Sequence, residues 1–313
     1  MKTHKVLALV PLLLLTLGVS PPNRNSIDDV RTMSFDVAVT DKNRIPVRGL
    51  DKDNFKVYVD NVEQTLTRVS RNNKPLAMVV LVELDEGFAY NMPNSVEPAV
   101  GLLKSLHAED WGALAAFDSS PEILVDFTHD KGELMLGLRR LRAPSYDDTA
   151  VLYDAVYFFL HQMNVLNEKR AILLIGSGRD TMSSRRTYAQ ALRKAETSGT
   201  MIYTVTLGEP YRGDTNTFAE FGEQMRRREA EYTLSSFAEA SGGLSFLPRL
   251  PQQYSTIHET IDTDLRNQYT LTFKSSVPAA TGKLRKLRVE VANTDIDHNG
   301  KQDRLTVRHM KGY

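Results

Sequence analysis

Leu76-Ala77-Met78-Val79-Val80-Leu81-Val82-Glu83-Leu84 decides the fold. Its apolar residues run on without the alternation of a half-buried strand, which suits a central strand covered on both faces. The run ends in Glu83, Leu84, Asp85, Glu86 and Gly87, so polar groups collect where the strand stops. Working outward, residues 95–107 predict a helix with Val96, Val100, Leu103 and Leu106 on one face, and residues 111–117 a strand ending at Asp118. Residues 121–127 read as an edge strand, because Pro121 opens it and the link from its predecessor is hairpin-short. A helix over 131–141 aligns Leu134, Leu138 and Leu141. Asp147-Asp148-Thr149 is expected to open a long helix reaching about residue 166, since acids and hydroxyls satisfy the free N–H groups of a helix start. Residues 170–175 predict another buried strand, Ser183 or Ser184 the cap of a helix to Ser198, and residues 201–207 the next strand. Helix and strand alternate, which predicts a parallel, doubly wound sheet.

In such sheets ligands sit beyond the carboxyl ends of the strands, at the switch in strand order. Three loops offer oxygen ligands there: Glu83 and Asp85 after the first strand, Asp147, Asp148 and Thr149 before the long helix, and Ser177, Asp180 and Thr181 after the fourth strand.

The stretch from Pro75 to Gly208 resembles a von Willebrand factor type A domain, of the subgroup found in exported bacterial proteins of acidobacterial type. Pro75-Leu76 opens the first strand as in that family. Thr149-Ala150-Val151-Leu152-Tyr153-Asp154-Ala155 is similar to its second motif, and Gly176-Ser177-Gly178-Arg179-Asp180-Thr181 to its third. The segments from Asp110 to Leu114, Phe117-Asp118 and Asp126-Phe127-Thr128 also fall where the family has comparable residues. The resemblance implies a Rossmann-like α/β domain whose loops build a metal-ion-dependent adhesion site. There Mg²⁺ takes octahedral oxygen ligands and leaves one position for an acidic group on a partner.

Counted from Pro75, the family's first Asp falls on Glu83, its first Ser on Asp85, its second Ser on Gly87 and its third-loop Asp on Ser177; Thr149 alone is unchanged. The resemblance therefore implies a degenerate magnesium site of Glu83, Asp85 and Thr149, with Asp148 or Asp180 as helper. Without metal, the same acids are solvated loop residues and helix caps. The binding surface expected in either case is Glu83, Asp85, Gly87, Asp148, Thr149, Ser177 and Asp180.

Lys plus Arg and Asp plus Glu both number 39, so nothing suggests an electrostatic footprint for nucleic acid. Arg226-Arg227-Arg228 is followed by Glu229 and Glu231, as on a solvated helix face. Residues 1–20 carry Lys2 and Lys5, an apolar run from Val6 to Val19 and then Pro21-Pro22, the layout of a secretory signal peptide. Periplasmic or extracellular export is expected, with membrane attachment only if that segment is uncleaved. With no cysteine, neither a disulfide nor a lipid thioether is available, and stability must come from the core.

Two β-rich pieces flank the centre. Residues 33–40 alternate, Asn43-Arg44 marks a turn, and residues 55–59 and 62–69 predict a hairpin around Asp60-Asn61. Residues 268–273, 286–291 and 304–309 alternate likewise. Three short strands do not make an independent core, so the two sets are expected to combine into a small β-sandwich with the α/β domain inserted between its halves. The division expected is 27–73 and 252–313 for the sandwich halves and 75–250 for the α/β domain. Between them, helices are expected over about 217–240, capped by Gly242-Gly243, and 252–266. The resemblance extends to these ends: Gly242-Gly243 before a short strand, and a last strand followed by Lys311-Gly312-Tyr313.

Asp295, Asp297, Asn299, Lys301 and Asp303 are spaced like the first nine positions of a calcium loop, with Gly300 at the sixth. Thr306 replaces the bidentate Glu of an EF-hand and the flanks are strands, which leaves a non-helical calcium loop or a metal-free turn nucleated by Asn299-Gly300. Mg²⁺ and Ca²⁺ are thus the cofactors the residues allow.

Enzymatic patterns are weak. Gly176-Ser177-Gly178 is not a nucleophile elbow, it lacks the third glycine of a dinucleotide fingerprint, and the seven histidines have no zinc spacing. Arg212-Gly213-Asp214 reads as a chance tripeptide. The expectation is a non-enzymatic, exported adhesion or scaffold module with a protein partner that the sequence does not name. The rivals are a metal-dependent adhesion module with a working site, and a hydrolase using Asp85, Asp148 and Asp180 as a carboxylate cluster.

Overall fold

The computed structural model describes residues 32–84, 96–141, 149–182, 184–207, 217–275, 284–291, 295 and 303–313, with the side chains of 217–221, 223 and 226 left aside. Residues 1–20, expected as a signal peptide, and Asp85, Gly87, Asp148, Arg212-Gly213-Asp214, Asp297, Asn299 and Lys301 lie outside the described residues.

In chain order the elements are β1 (Thr32–Thr40), β2 (Phe55–Val59), β3 (Val62–Gln64), β4 (Leu66–Arg71), β5 (Leu76–Glu83), α1 (Glu97–Ser105), β6 (Trp111–Phe117) and β7 (Pro121–Thr128). Next come α2 (Lys131–Arg140), α3 (Leu152–Met163), β8 (Lys169–Gly176), α4 (Tyr188–Thr197), β9 (Met201–Thr206), α5 (Thr217–Ser241) and β10 (Ser245–Phe246). The chain ends with α6 (Ile257–Arg266), β11 (Tyr269–Lys274), β12 (Leu287–Val291) and β13 (Thr306–His309).

The central sheet runs β10-β9-β8-β5-β6-β7, parallel throughout except for the antiparallel edge strand β7. Every residue of β5 is buried, as its unbroken apolar run requires. One face carries α1, α2 and α6, through residues such as Leu103, Leu134 and Ile261. The other carries α3, α4 and α5, through Phe159, Ala191 and Phe237. The chain passes from β5 to β6 on one side and returns to β8 on the other, so strand order switches at β5. The carboxyl ends of β5 and β8 flank that switch.

The remaining strands make a sandwich. β13-β1-β11-β4 form one sheet and β12-β2-β3 the other, around a core that includes Phe35, Val37, Val57, Leu271 and Val289. Both sheets combine N-terminal and C-terminal strands, alternating in the four-stranded one, which is why neither end of the chain had a core of its own. The α/β domain is inserted between β4 and β11.

Several local expectations change. The strand expected over 62–69 divides at Thr65: β3 completes the hairpin with β2 and β4 crosses to the other sheet. Asp60 and Asn61 both have positive φ, the backbone of a two-residue hairpin turn that follows the twist of its strands. The helix expected to open at Asp147-Asp148-Thr149 begins only at Leu152, and its N-cap, Val151, offers no side-chain hydrogen bond. α4 is capped by Thr187 with Gln190 in a reciprocal capping box, not by Ser183 or Ser184. The helix expected over 252–266 divides into a 3₁₀ turn (Pro251–Gln253) and α6. At the end of α5, Gly242 adopts φ 87°. A Cβ there would lie 2.7 Å from the backbone of His309, so the glycine serves both the cap and the close approach of β13.

A polar seam fastens the sandwich to the amino ends of the parallel strands. Asp110 accepts from the N–H groups of Leu76 and His107, both at 2.7 Å, and pairs with Arg266 at 2.5 Å. Burial opposes ionisation of Asp110, but the Arg266 guanidinium and these two N–H groups hold its carboxyl below the ordinary range. Asp264 pairs with Arg308 of β13 and accepts from the buried Tyr203 hydroxyl at 2.7 Å. Lys169 donates to the carbonyls of Asn72 (3.0 Å) and Leu265 (2.5 Å). Burial lowers its pKa to about 8, with Asp36 opposing and Arg266 adding to the shift.

Candidate functional site

At the carboxyl ends, Glu83 closes β5 and is 1 % exposed. Ser177 follows the last residue of the neighbouring β8, and the two side chains meet directly. The Ser177 N–H donates to Glu83 Oε2 and the Ser177 hydroxyl to Oε1, both at 2.7 Å. Both carboxyl oxygens of Glu83 are thereby given a donor. Gly176 permits the approach, because a Cβ there would sit 2.3 Å from Glu83 Oε2. Gly178 turns the chain with φ 86°, where a Cβ would strike the Ala230 carbonyl of α5 at 2.5 Å.

Asp180 lies two residues further on. Its Oδ1 accepts from the Ser184 hydroxyl (2.5 Å) and the Tyr153 N–H (3.3 Å), and its Oδ2 from the Ser184 N–H (3.0 Å). Asp180 thus supplies, from a distant loop, the cap that Val151 does not give to α3. Burial raises the Tyr153 phenol above its ordinary pKa, with Asp180 adding to the effect.

The segment after Thr149 is stitched to the same rim. The Ala150 N–H donates to the Thr181 hydroxyl at 2.7 Å, and its carbonyl accepts from the N–H groups of Thr181 and Met182. The Val151 N–H donates to the Asp118 carbonyl at 2.9 Å, just beyond β6. Glu83, Thr149, Ser177 and Asp180 are therefore brought to one end of the sheet, while Asp85, Gly87 and Asp148 fall outside the described residues. Of the candidate calcium loop, only Asp295 and Asp303 are described.

A magnesium shell needs about six oxygens at 2.0–2.1 Å. Both Glu83 oxygens instead meet Ser177 donors, and both Asp180 oxygens meet Ser184. Among the described residues no three His, Cys, Asp or Glu side chains gather as a metal would need. The described donors do not fit a magnesium ion without rearrangement.

Asp154 is the rim residue the sequence reading left without a role. Its carboxylate accepts from the N–H groups of Arg185 (2.9 Å) and Arg186 (2.8 Å), and its own N–H donates to Ser184 Oγ at 3.2 Å. The third loop is thereby latched to α3 at two places. The signal was present in Leu152-Tyr153-Asp154-Ala155: an acid early on a helix, one turn past an apolar cap.

No protein-family model and no curated protein matches the chain. Solved structures similar to it include an aerotolerance-related membrane protein from Bacteroides fragilis (12% identity, TM-score 0.46, covering 61% of this chain and 98% of that one). Another is the conserved hypothetical protein BatB from Bacteroides thetaiotaomicron (12% identity, TM-score 0.46, 60% and 97%). A third is a von Willebrand factor type A protein from Catenulispora acidiphila (10% identity, TM-score 0.49, 84% and 71%). The description of the fold rests on the strand order and helix layers given above.

Proposed function

We propose that the chain is an exported, non-enzymatic protein-binding module of the von Willebrand factor A type, whose rim is held by hydrogen bonds where related modules use a cation. The observation that supports it is the Glu83–Ser177 pair. A carboxylate with a 2.7 Å donor on each oxygen is an assembled structural element. Asp180 and Asp154 extend the same design, each fastening the loop before α4 to α3. The described loops of the rim are fastened to one another on a layered sheet, the arrangement by which folds present binding residues. The sandwich built from both ends of the chain serves as its mount. A carboxylate-cluster hydrolase gains no support here, since Asp180 is occupied as a helix cap.

The test immobilises residues 27–313 and measures capture of proteins from the secreted fraction of the source cells, in EDTA and in 5 mM Mg²⁺, alongside turnover of nitrophenyl ester and phosphate substrates. The reading predicts equal capture with and without Mg²⁺, reduced capture by Asp180→Ala, and no turnover. Capture that appears only with Mg²⁺, or turnover abolished by Asp85→Ala, contradicts it.

A further inference from the structure

On the flank of the α/β domain, beside the rim, a cleft of about 520 Å³ opens between α3, the turn joining β6 to β7, and the loop before α4. We propose that this cleft captures an acidic peptide segment of a partner protein, with Arg185 and Arg186 taking its carboxylates and an aromatic wall taking a neighbouring apolar side chain. The proposal rests on the reading of the chain as a protein-binding module, but it concerns a different face and different residues from the Glu83–Ser177 rim.

The lining divides by chemistry. Tyr157 and Phe158 of α3 form the apolar wall, Ser119 and Ser120 the hydroxyl-bearing lip, and Arg185 and Arg186 the cationic side. Both arginines are exposed, and among the described residues neither guanidinium has a carboxylate partner within ion-pair distance. Both backbones and the Arg186 guanidinium are nevertheless held in place. Arg186 stacks over the Tyr157 ring at 4.4 Å, and the backbone N–H groups of both residues are anchored on Asp154. Anchored backbone with unpaired guanidiniums is a preorganised carboxylate receptor, since planar guanidinium forks match carboxylates in two-point geometry. His161 adds a further nitrogen donor to the lining.

Two observations favour a peptide over a free phosphate or nucleotide. The N–H groups of Arg185 and Arg186, which a phosphate cradle would need, are already donated to Asp154, whose own charge lies in the cleft and disfavours a compact dianion. The cleft also borders β7, which among the described residues is the edge strand of the sheet. Pro121 lines it, and Ile123, two residues along β7, stands opposite Ala115 on the α3 face of the sheet and is 45 % exposed. Among the described residues β7 pairs with β6 alone and ends the sheet, the position at which an extended segment can be added. Positive charge, an aromatic wall, an apolar step and an edge strand together describe an acidic peptide with an apolar residue.

The test is fluorescence anisotropy at low ionic strength with a labelled, acetylated Phe-Glu-Glu-Leu peptide and its Phe-Gln-Gln-Leu counterpart, on wild type, Arg185→Gln/Arg186→Gln and Ser120→Glu. The last variant places a negative charge at the lip without touching a buried group. The proposal predicts saturable binding of the acidic peptide, about tenfold or more weaker binding by the glutamine peptide and by both variants, and loss with rising salt. It is overturned by no saturable binding of the acidic peptide, by equal binding of the two peptides, by undiminished binding in the variants, or by inorganic phosphate competing as well as the peptide binds. Loss of peptide binding alongside intact partner capture removes the cleft and leaves the module reading standing.

Discussion

The two ends of the central sheet solve the same problem in different ways. At the amino ends, buried acids meet cations: Asp110 with Arg266, and Asp264 with Arg308. At the carboxyl ends, Glu83 and Asp180 meet the hydroxyl and N–H groups of serines. In the first arrangement Asp264 and Arg308 tie the α/β domain to the sandwich, while Asp110 and Arg266 tie α6 to the start of β6 within the α/β domain. The second ties loops to one another. The seam pairs charges, whereas the rim carboxylates are satisfied by neutral donors and fasten loops to one another.

The largest expected effect is at the seam. Asp110→Ala removes a carboxylate that holds two backbone N–H groups and one guanidinium, and is expected to cost about 3–5 kcal/mol in urea unfolding. Because Asp110 ionises below the ordinary range in the folded chain, its contribution is full above the unfolded value of 3.8 and is lost as the medium is acidified through the folded value. A loss similar to that of an exposed Asp→Ala would erase the distinction between the two ends.

At the rim, Asp180→Ala is expected to cost about 0.5–2 kcal/mol, the range of a lost helix cap. Its effect should be local: amide exchange in residues 180–187 and the first turn of α3 should speed up while β5 and β8 stay protected. Uniform loosening of the whole sheet would place the rim and the seam in one cooperative unit and break the contrast.

Lys169 sharpens the comparison through pH. Its folded value of about 8 lies below the ordinary lysine value of 10.5, so between those values the unfolded chain binds more protons and stability rises with pH. The slope from this group approaches about 1 kcal/mol per pH unit. Lys169→Met should lose that rise, read as the wild-type minus variant difference in unfolding free energy between pH 8 and 9.5. A flat difference would show that the lysine is not desolvated at the junction.

His309 gives the smallest effect, at the far side of the same junction. Burial lowers its pKa from 6.5, with the Met310 carbonyl at 2.6 Å opposing the shift. Stability from this group is therefore full above pH 6.5 and falls as pH drops toward the folded value. His309→Asn should flatten the curve between pH 6.5 and 5; an unchanged curve contradicts the burial of the ring.

Most of the layered sheet was legible because its strands are buried on both faces and its helices carry one apolar side. Pairing of the chain ends into a sandwich also followed, from the physics of three strands without a core. Register and caps were less legible. The crossing at Thr65 has no local signature, since Gln64 and Leu66 are both buried, in different sheets. The start of α3 was read three residues early because Asp147, Asp148 and Thr149 are good capping residues, whereas the acid that reaches the helix start, Asp180, comes from 27 residues downstream of Tyr153. Tertiary caps leave no local trace. The contact between Glu83 and Ser177 was expected only as shared location, because sequence order cannot reveal that Gly176 leaves room for it.

The proposal that the Glu83–Ser177 pair takes the place of a cation is tested most directly by a thermal melt against Mg²⁺ and Mn²⁺. A ligand that binds only the folded chain raises its midpoint in proportion to RT ln(1 + [L]/Kd). Wild type is predicted to melt at the same temperature in EDTA and in 10 mM of either cation, and Ser177→Ala to melt lower in all three. A saturable rise with Mg²⁺ or Mn²⁺ that disappears in Glu83→Gln would contradict the central claim.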